Sequence, residues 1–320
     1  MSEQTPRNTI LIGDAHEQLA TLPSASVDCV ITSPPYFNLR DYGISGQLGM
    51  EPTIQAWVAN LRSVFREVAR VLAPSGGLWL NLGDSFSRHP KYGAPAKSLM
   101  LAPERLLLAL EQDGWIVRNK VIWAKSNPLP SSVTDRLNLT YEPLYFLVRS
   151  KRYFYDLDAV RIPHQTAGSG RPRKVLEDKP TWAGPLAAVR NGLCSGLGRH
   201  ARGKNPGDVW TIPTRGFRGA HFAVFPPELV RRPLLTSCPA VVCTACGAGQ
   251  KSSQDALPCD CQAPTRRGLV LDPFLGSGTV ALVAQEHKRD WLGVELNPAY
   301  ARIARERLGL EPEPTGEPTL

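Results

Sequence analysis

Two short segments at opposite ends of the chain hold residue types at spacings that could do chemistry. Near the start, Thr32-Ser33-Pro34-Pro35-Tyr36 closes an apolar run, and near the finish Asp272-Pro273-Phe274-Leu275-Gly276-Ser277-Gly278-Thr279 closes another. Ser33 offers a hydroxyl, Pro34-Pro35 holds extended backbone that fixes the direction of a carbonyl, and Tyr36 adds a flat aromatic face. A planar exocyclic amine needs that set: acceptors for its hydrogens and a surface to stack on. The same residues would also suit a rigid turn at a strand end with a packed tyrosine.

The second segment runs from Leu269-Val270-Leu271-Asp272 through the glycine turn into an apolar stretch. That order predicts strand, tight turn and helix N-terminus, where bare backbone and the helix dipole face a ligand. Glu295, about twenty residues on at the end of the next apolar run, can accept hydrogen bonds from ribose hydroxyls. The Gly-Lys signature of a phosphate cradle and the third glycine of a dinucleotide fingerprint are both absent, so a cofactor with a ribose but no phosphate fits best.

Elements that could position these segments follow from hydrophobic periodicity. Strands are predicted at 9–12, 27–32, 78–82, 115–124, 144–148, 269–271 and 291–294. Helices are predicted at 16–22, 54–72, 101–112, 227–235, 279–287 and 298–308, several closed by Gly or Pro. The alternation implies an α/β fold with a mostly parallel sheet and helices on both faces. No internal repeat is evident.

At 320 residues and 42% hydrophobic content the chain can build a sizeable core. No apolar run approaches a membrane span and the N-terminus is polar, so a soluble, cytoplasmic protein is expected. The net charge of +8 is concentrated: between Lys151 and Ala220 thirteen basic residues face five acidic ones. That stretch is rich in Gly and Pro with little periodicity, a poor candidate for the central sheet and a good one for contact with a phosphate backbone. A solvated loop that touches nothing is the plain alternative. Residues 311–320, rich in Glu and Pro, read as a disordered tail.

Taken together, Thr32–Tyr36 and Asp272–Thr279 resemble the catalytic and cofactor motifs of the amino-group DNA methyltransferases that use S-adenosylmethionine. The order of motifs, catalytic first and cofactor loop last, is similar to that of the circularly permuted β class. The resemblance covers roughly residues 9–150 and 222–308. It implies a Rossmann-like methyltransferase sheet with residues 1–155 as the catalytic half, 156–220 as a basic target-recognition region and 221–310 as the cofactor-binding half. Asp272, Phe274, Gly276 and Gly278 would hold the methionine part of the cofactor, with Ser277, Thr279 and Asn297 beside them. Glu295 would hold the ribose, and Asp14 would flank the adenine. Ser33 and the Pro34 carbonyl would accept from the target amine while Tyr36, after Pro35, stacks on the flipped base. Arg171, Arg173, Lys174, Arg199, Arg202 and Lys204 would contact double-stranded DNA. Ser before Pro-Pro-Tyr is typical of N4-cytosine enzymes in the family, and Asp or Asn of N6-adenine enzymes, so N4-cytosine is the preferred target and N6-adenine the alternative. Such proteins belong to prokaryotic or phage modification systems, where a cognate restriction endonuclease is a partner to look for.

A direct nucleophilic route needs no covalent intermediate. The cysteine nucleophile after a proline that cytosine-C5 chemistry would require is missing, since Cys238 precedes its proline and Cys29 and Cys194 have no such setting.

A further insertion at 238–264 carries Cys243-x2-Cys246-Gly247 and Cys259-x-Cys261. The first pair reads as a knuckle aiming two thiolates at one metal, and the second completes a tetrahedral zinc site, with Cys238 as an alternative fourth ligand. Reduced, unligated cysteines in a surface loop are the plain alternative. Other readings of the whole chain are methylation of a protein glutamine or an RNA amine, and a zinc-bearing DNA-binding protein on a non-catalytic scaffold; the basic stretch and permuted order argue against the protein substrate, and the intact motifs against the non-catalytic scaffold.

Overall fold

The computed structural model describes residues 5–164, 200–214 and 225–311. In chain order the elements are β1 Thr9–Ile12, α1 Ala15–Ala20, β2 Val27–Thr32, α2 Ile54–Val71, β3 Leu72–Asn81, α3 Ala102–Gln112, β4 Ile116–Lys125 and β5 Tyr141–Val148. They continue with β6 Val209–Ile212, α4 Pro227–Ser237, β7 Val241–Cys243, β8 Thr265–Arg267, β9 Leu269–Asp272, α5 Thr279–Glu286, β10 Asp290–Glu295 and α6 Pro298–Leu308.

Eight strands form one sheet in the order β1-β10-β9-β2-β3-β5-β4-β6. Neighbours pair in parallel except at β5, which runs against both β3 and β4. The central strands β2, β9 and β10 are buried on both faces, which is why they read as continuous apolar runs. Leu78 and Leu80 of β3 join a core with Trp57, Leu61 and Phe65 of α2 and Leu106 of α3. Trp79 between them faces the other way, into a core with Leu234 of α4, Val283 of α5 and Ala304 of α6.

Helix α2 shows how local sequence sets an element. Thr53 caps it by accepting from the Ala56 N–H at 3.2 Å, and Ile54, Trp57, Leu61, Val64, Phe65, Val68 and Val71 make one buried stripe. It stops at Val71 because Leu72 is already extended.

Two expectations need correction. The Pro74–Gly77 segment, expected to be a loop before a strand at 78–82, is part of β3, with a register break against β2 between Val27 and Cys29. Gly76 and Gly77 belong there because a Cβ would lie 2.5 Å from Leu72 Cδ1 and 2.7 Å from the Phe146 ring respectively. The basic stretch does contribute to the central sheet: β6 adds a parallel edge strand beside β4. Its sequence alternates, Trp210 and Ile212 buried and Val209 and Thr211 exposed, a period-two signal masked by the surrounding Gly and Pro.

Beneath the cysteine insertion β7 and β8 form a separate two-stranded hairpin. Arg266 of β8 reaches Asp28 of β2 with two hydrogen bonds, 2.5 and 2.9 Å, and the Leu269 N–H adds a third to the same carboxylate at 2.7 Å. The Asp28 side chain is 7% exposed, so the hairpin is bolted to the sheet through a buried charge. No helix among the described residues is long and apolar enough to cross a membrane.

Candidate active site

Strands β9 and β2 are neighbours, and the connections that follow them leave in opposite directions, β9 toward β10 and β2 toward β3. A crevice therefore opens at their carboxyl ends, the place where ligands bind in open α/β sheets. The two segments singled out from sequence end these strands. Thr32 Oγ1 donates to Asp272 Oδ1 over 2.7 Å. A cavity of about 760 Å³ lies in front of them.

One wall comes from the glycine-rich turn. Asp272 Oδ1 also accepts from the Phe274 N–H at 3.1 Å, while its Oδ2 is buried with no partner among the described residues. Burial, with the Glu295 charge adding to it, pushes the Asp272 carboxyl up to about 7 against the pull of Thr32 and the Phe274 N–H. Glu295 accepts from the Gly276 N–H and the Asn297 N–H, both at 2.8 Å, so it ties the turn after β9 to the end of β10. Burial pushes its carboxyl up as well, and those backbone donors oppose the rise.

Of the residues expected to meet a cofactor, Asp14, Phe274, Gly276, Ser277, Thr279, Glu295 and Asn297 line the cavity. Asp272 lies behind the lining. Gly278 faces away: at φ +79° it caps α5, and a Cβ there would lie 3.3 Å from Ala304 and Leu308 of α6. Several lining side chains also serve the backbone. Asp14 caps α1 and Asn297 caps α6, while the Ser277 and Thr279 hydroxyls accept from Arg307 at 3.0 and 2.9 Å.

The opposite wall carries Ser33, Pro34, Pro35 and Tyr36. The Pro35 carbonyl accepts from Trp57 Nε1 at 3.0 Å, which anchors the turn to α2. Tyr36 Oη donates to Glu142 Oε2 at 2.7 Å, and Ser33 Oγ lies 3.3 Å from Tyr36 Oη and 3.5 Å from Asn81 Oδ1. Asn81 is oriented by its Nδ2, which donates to the Pro143 carbonyl at 3.1 Å. Lys125 Nζ pairs with the other Glu142 oxygen at 2.5 Å. Burial, then the Glu142 charge, push the Tyr36 phenol well above its ordinary range and keep it protonated. Gly83 supports the ring from behind, where a Cβ would lie 2.5 Å from Tyr36 Cε2.

Asn81, Gly83, Lys125 and Glu142 were not foreseen. Asn81 ends β3, Lys125 ends β4 and Glu142 sits near the start of β5, so the reversal of β5 brings all three to one edge of the sheet. A polar residue closing an apolar strand, as in Leu80-Asn81, was the available signal. Arg40 was also missed; it lines the cavity, and its Nη1 is buried with no partner among the described residues.

For DNA contact, Arg202 and Lys204 are exposed, beside a bridge in which Ile162 and Lys204 exchange both backbone hydrogen bonds. Arg171, Arg173, Lys174 and Arg199 lie outside the described residues. The thiols of Cys243, Cys246, Cys259 and Cys261 all lie within 4.8 Å of one another. Cys238 is not part of this group; it lies in the core on the α4 side of the sheet.

The profile of a family described as DNA methylase matches residues 27–306. The chain is 37% identical to the Type II methyltransferase M.XycI of Xanthomonas campestris pv. cyanopsidis, over 94% of this chain and 87% of that one. It is 35% identical to M.SmaI of Serratia marcescens, over 93% and 90%. Among solved structures it resembles the cytosine-N4-specific PvuII DNA methyltransferase in fold (TM-score 0.62, 20% identical, 98% and 89% covered). It also resembles a DNA modification methylase of Thermus thermophilus in complex with S-adenosyl-L-methionine (TM-score 0.54, 25% identical, 94% of each chain).

Proposed function

The chain belongs to the DNA methylase family, and from that premise we propose that it transfers a methyl group from S-adenosylmethionine to the N4 amine of cytosine in duplex DNA. The observation that carries this reading is the joining of both motifs across one cavity by the Thr32–Asp272 hydrogen bond.

The residues present fit the cofactor. The amino-acid end of S-adenosylmethionine is a zwitterion, and the described residues offer an unpaired carboxylate oxygen on Asp272 and an unpaired guanidinium nitrogen on Arg40. Phe274, Gly276 and Glu295 would hold the remainder, with Asp14 at the adenine. When bound, the cofactor supplies an electrophilic methyl on a positively charged sulfur.

The protein's own part is to make a poor nucleophile reactive. The lone pair of an aromatic amine is shared with its ring, and acceptors placed on its two hydrogens draw the nitrogen toward a tetrahedral form. Ser33 is polarised for that role. Glu142 can only accept, so the Tyr36 proton points to it, and the Tyr36 oxygen is left to accept from Ser33. The proton of Ser33 is thereby engaged within the protein, by Tyr36 or Asn81, and its lone pairs are left to accept from the substrate amine. Lys125 Nζ, bonded to the other oxygen, holds the Glu142 carboxylate in the orientation that sets this direction. The Pro34 carbonyl would serve as the second acceptor and the Tyr36 ring as the stacking surface, with positioning doing most of the work.

Cytosine is favoured over adenine by Ser33, which stands where N6-adenine enzymes usually carry Asp or Asn. The test is incubation with tritiated cofactor and duplex DNA, then digestion to nucleosides. Label in N4-methyl-2′-deoxycytidine is expected; label confined to N6-methyl-2′-deoxyadenosine would transfer the assignment to adenine.

A further inference from the structure

We propose that Cys243, Cys246, Cys259 and Cys261 bind one zinc ion, and that the ion orders a clasp gripping the foot of the basic region.

A tetrahedral ion about 2.3 Å from each of four thiolates sets the sulfurs about 3.8 Å apart. Four sulfurs within 4.8 Å of one another need only a small contraction to reach that arrangement. Their mutual closeness also differs from two disulfides, in which each sulfur would have one near partner. The local backbone suits a knuckle. Cys243 N–H donates to the Ala248 carbonyl, Gly247 N–H returns to the Cys243 carbonyl, and Gly247 at φ +72° makes the reversal. The second pair is brought close by β8, whose Thr265 lies opposite Cys243.

The segment has no other means of ordering itself. From residue 244 to 264 no side chain is buried, so there is no apolar core to offset the entropy of fixing the chain. Its contacts nevertheless reach a buried group elsewhere. The Ser252 N–H donates to Asp156 Oδ2 at 2.5 Å, and Asp156 is 4% exposed. Two residues on, Asp158 pairs with Arg161 at 2.5 Å. Gly249 packs on Phe154, where a Cβ would lie 2.9 Å from the ring. Residues 154–161 lead directly to the Ile162–Lys204 bridge, so the knuckle holds the chain just where the basic region departs.

The metal assignment is independent of the methylation reading. Elemental analysis of the full chain, purified without chelators, should give about one zinc per chain. Cys246→Ser and Cys261→Ser, at exposed positions, should lose it while keeping the wild-type far-ultraviolet circular dichroism. Metal-free wild-type protein, an equivalent of iron, or variants that retain full zinc would overturn the site. Cobalt exchange adds a readout that does not depend on those variants: the intense visible absorption of a tetrahedral tetrathiolate is expected, and its absence counts against the ligand set. For the clasp, zinc removal should speed hydrogen exchange in residues 244–264 and also in 156–161. Unchanged exchange in 156–161 would refute it.

Discussion

Thr32 and Asp272, 240 positions apart in the chain, share a 2.7 Å hydrogen bond at the carboxyl ends of adjacent strands. The bond fixes one oxygen of Asp272, and the other is buried with nothing to accept from among the described residues. Burial, with the Glu295 charge adding to it, pushes the Asp272 carboxyl up to about 7.

A pH dependence of cofactor binding follows. A cationic ammonium favours ionised Asp272, so affinity should be highest above pH 7 and fall as pH drops below it. Calorimetric titration between about pH 6 and pH 8 should show a weakening of up to about tenfold at the acid end. Asp272→Asn should bind weakly and lose that slope; an unchanged slope would exclude Asp272 as its origin.

The stability of the cofactor-free protein should run the opposite way. The folded-state pKa of Asp272 is raised, so its contribution is fully present below its unfolded value near 4 and is lost as pH rises through about 7. Saturating cofactor should flatten the trend. Denaturant midpoints measured with and without cofactor across that window check both statements.

Substitutions at Tyr36 should separate the ring from the hydroxyl. Tyr36→Phe keeps the stacking surface but frees Ser33 from its directed hydrogen bond, and kcat should fall roughly 10- to 100-fold with little change in KM. Tyr36→Ala should also raise the KM for DNA, since base stacking is worth about 1–3 kcal/mol. Glu142→Gln should resemble Tyr36→Phe. Equal kinetics for Tyr36→Phe and wild type would remove the polarisation argument.

Gly83→Ala tests the support behind that ring. A methyl 2.5 Å from Tyr36 Cε2 must displace the side chain, at a stability cost of about 1–3 kcal/mol. Activity should drop while the cofactor dissociation constant stays near that of wild type. The two are measured by steady-state kinetics and calorimetry.

Arg266→Met would leave Asp28 buried without its partner, and a loss of about 3–5 kcal/mol is expected in denaturant unfolding. Adding Asp28→Asn should restore much of it. A single variant as stable as wild type would mean that the hairpin is not held through this pair.

The two motifs were legible because their geometry is local: an apolar strand, a Pro-Pro or Gly-x-Gly turn, and a helix start occupy consecutive residues. Glu295 was legible for the same reason, as the residue ending the next strand. Asn81, Lys125 and Glu142 were not, because their meeting depends on β5 running backward between β3 and β4, and no local pattern states strand direction. Gly278 shows the converse limit. Its place in the motif suggested a ligand, whereas its missing side chain makes room for α6. Strand β6 was overlooked because composition averaged over the basic stretch hides four alternating residues.

The bridge between Ile162 and Lys204 brings the departure and return of the chain to one point on the framework. The chain is therefore tied to itself at that junction by two backbone hydrogen bonds, 2.9 and 3.0 Å. Closing a loop at such a tie becomes costlier by only about 0.6 kcal/mol for each doubling of the loop's length. Insertions between the two bridge residues should therefore cost the fold little, which denaturant midpoints of such variants would check.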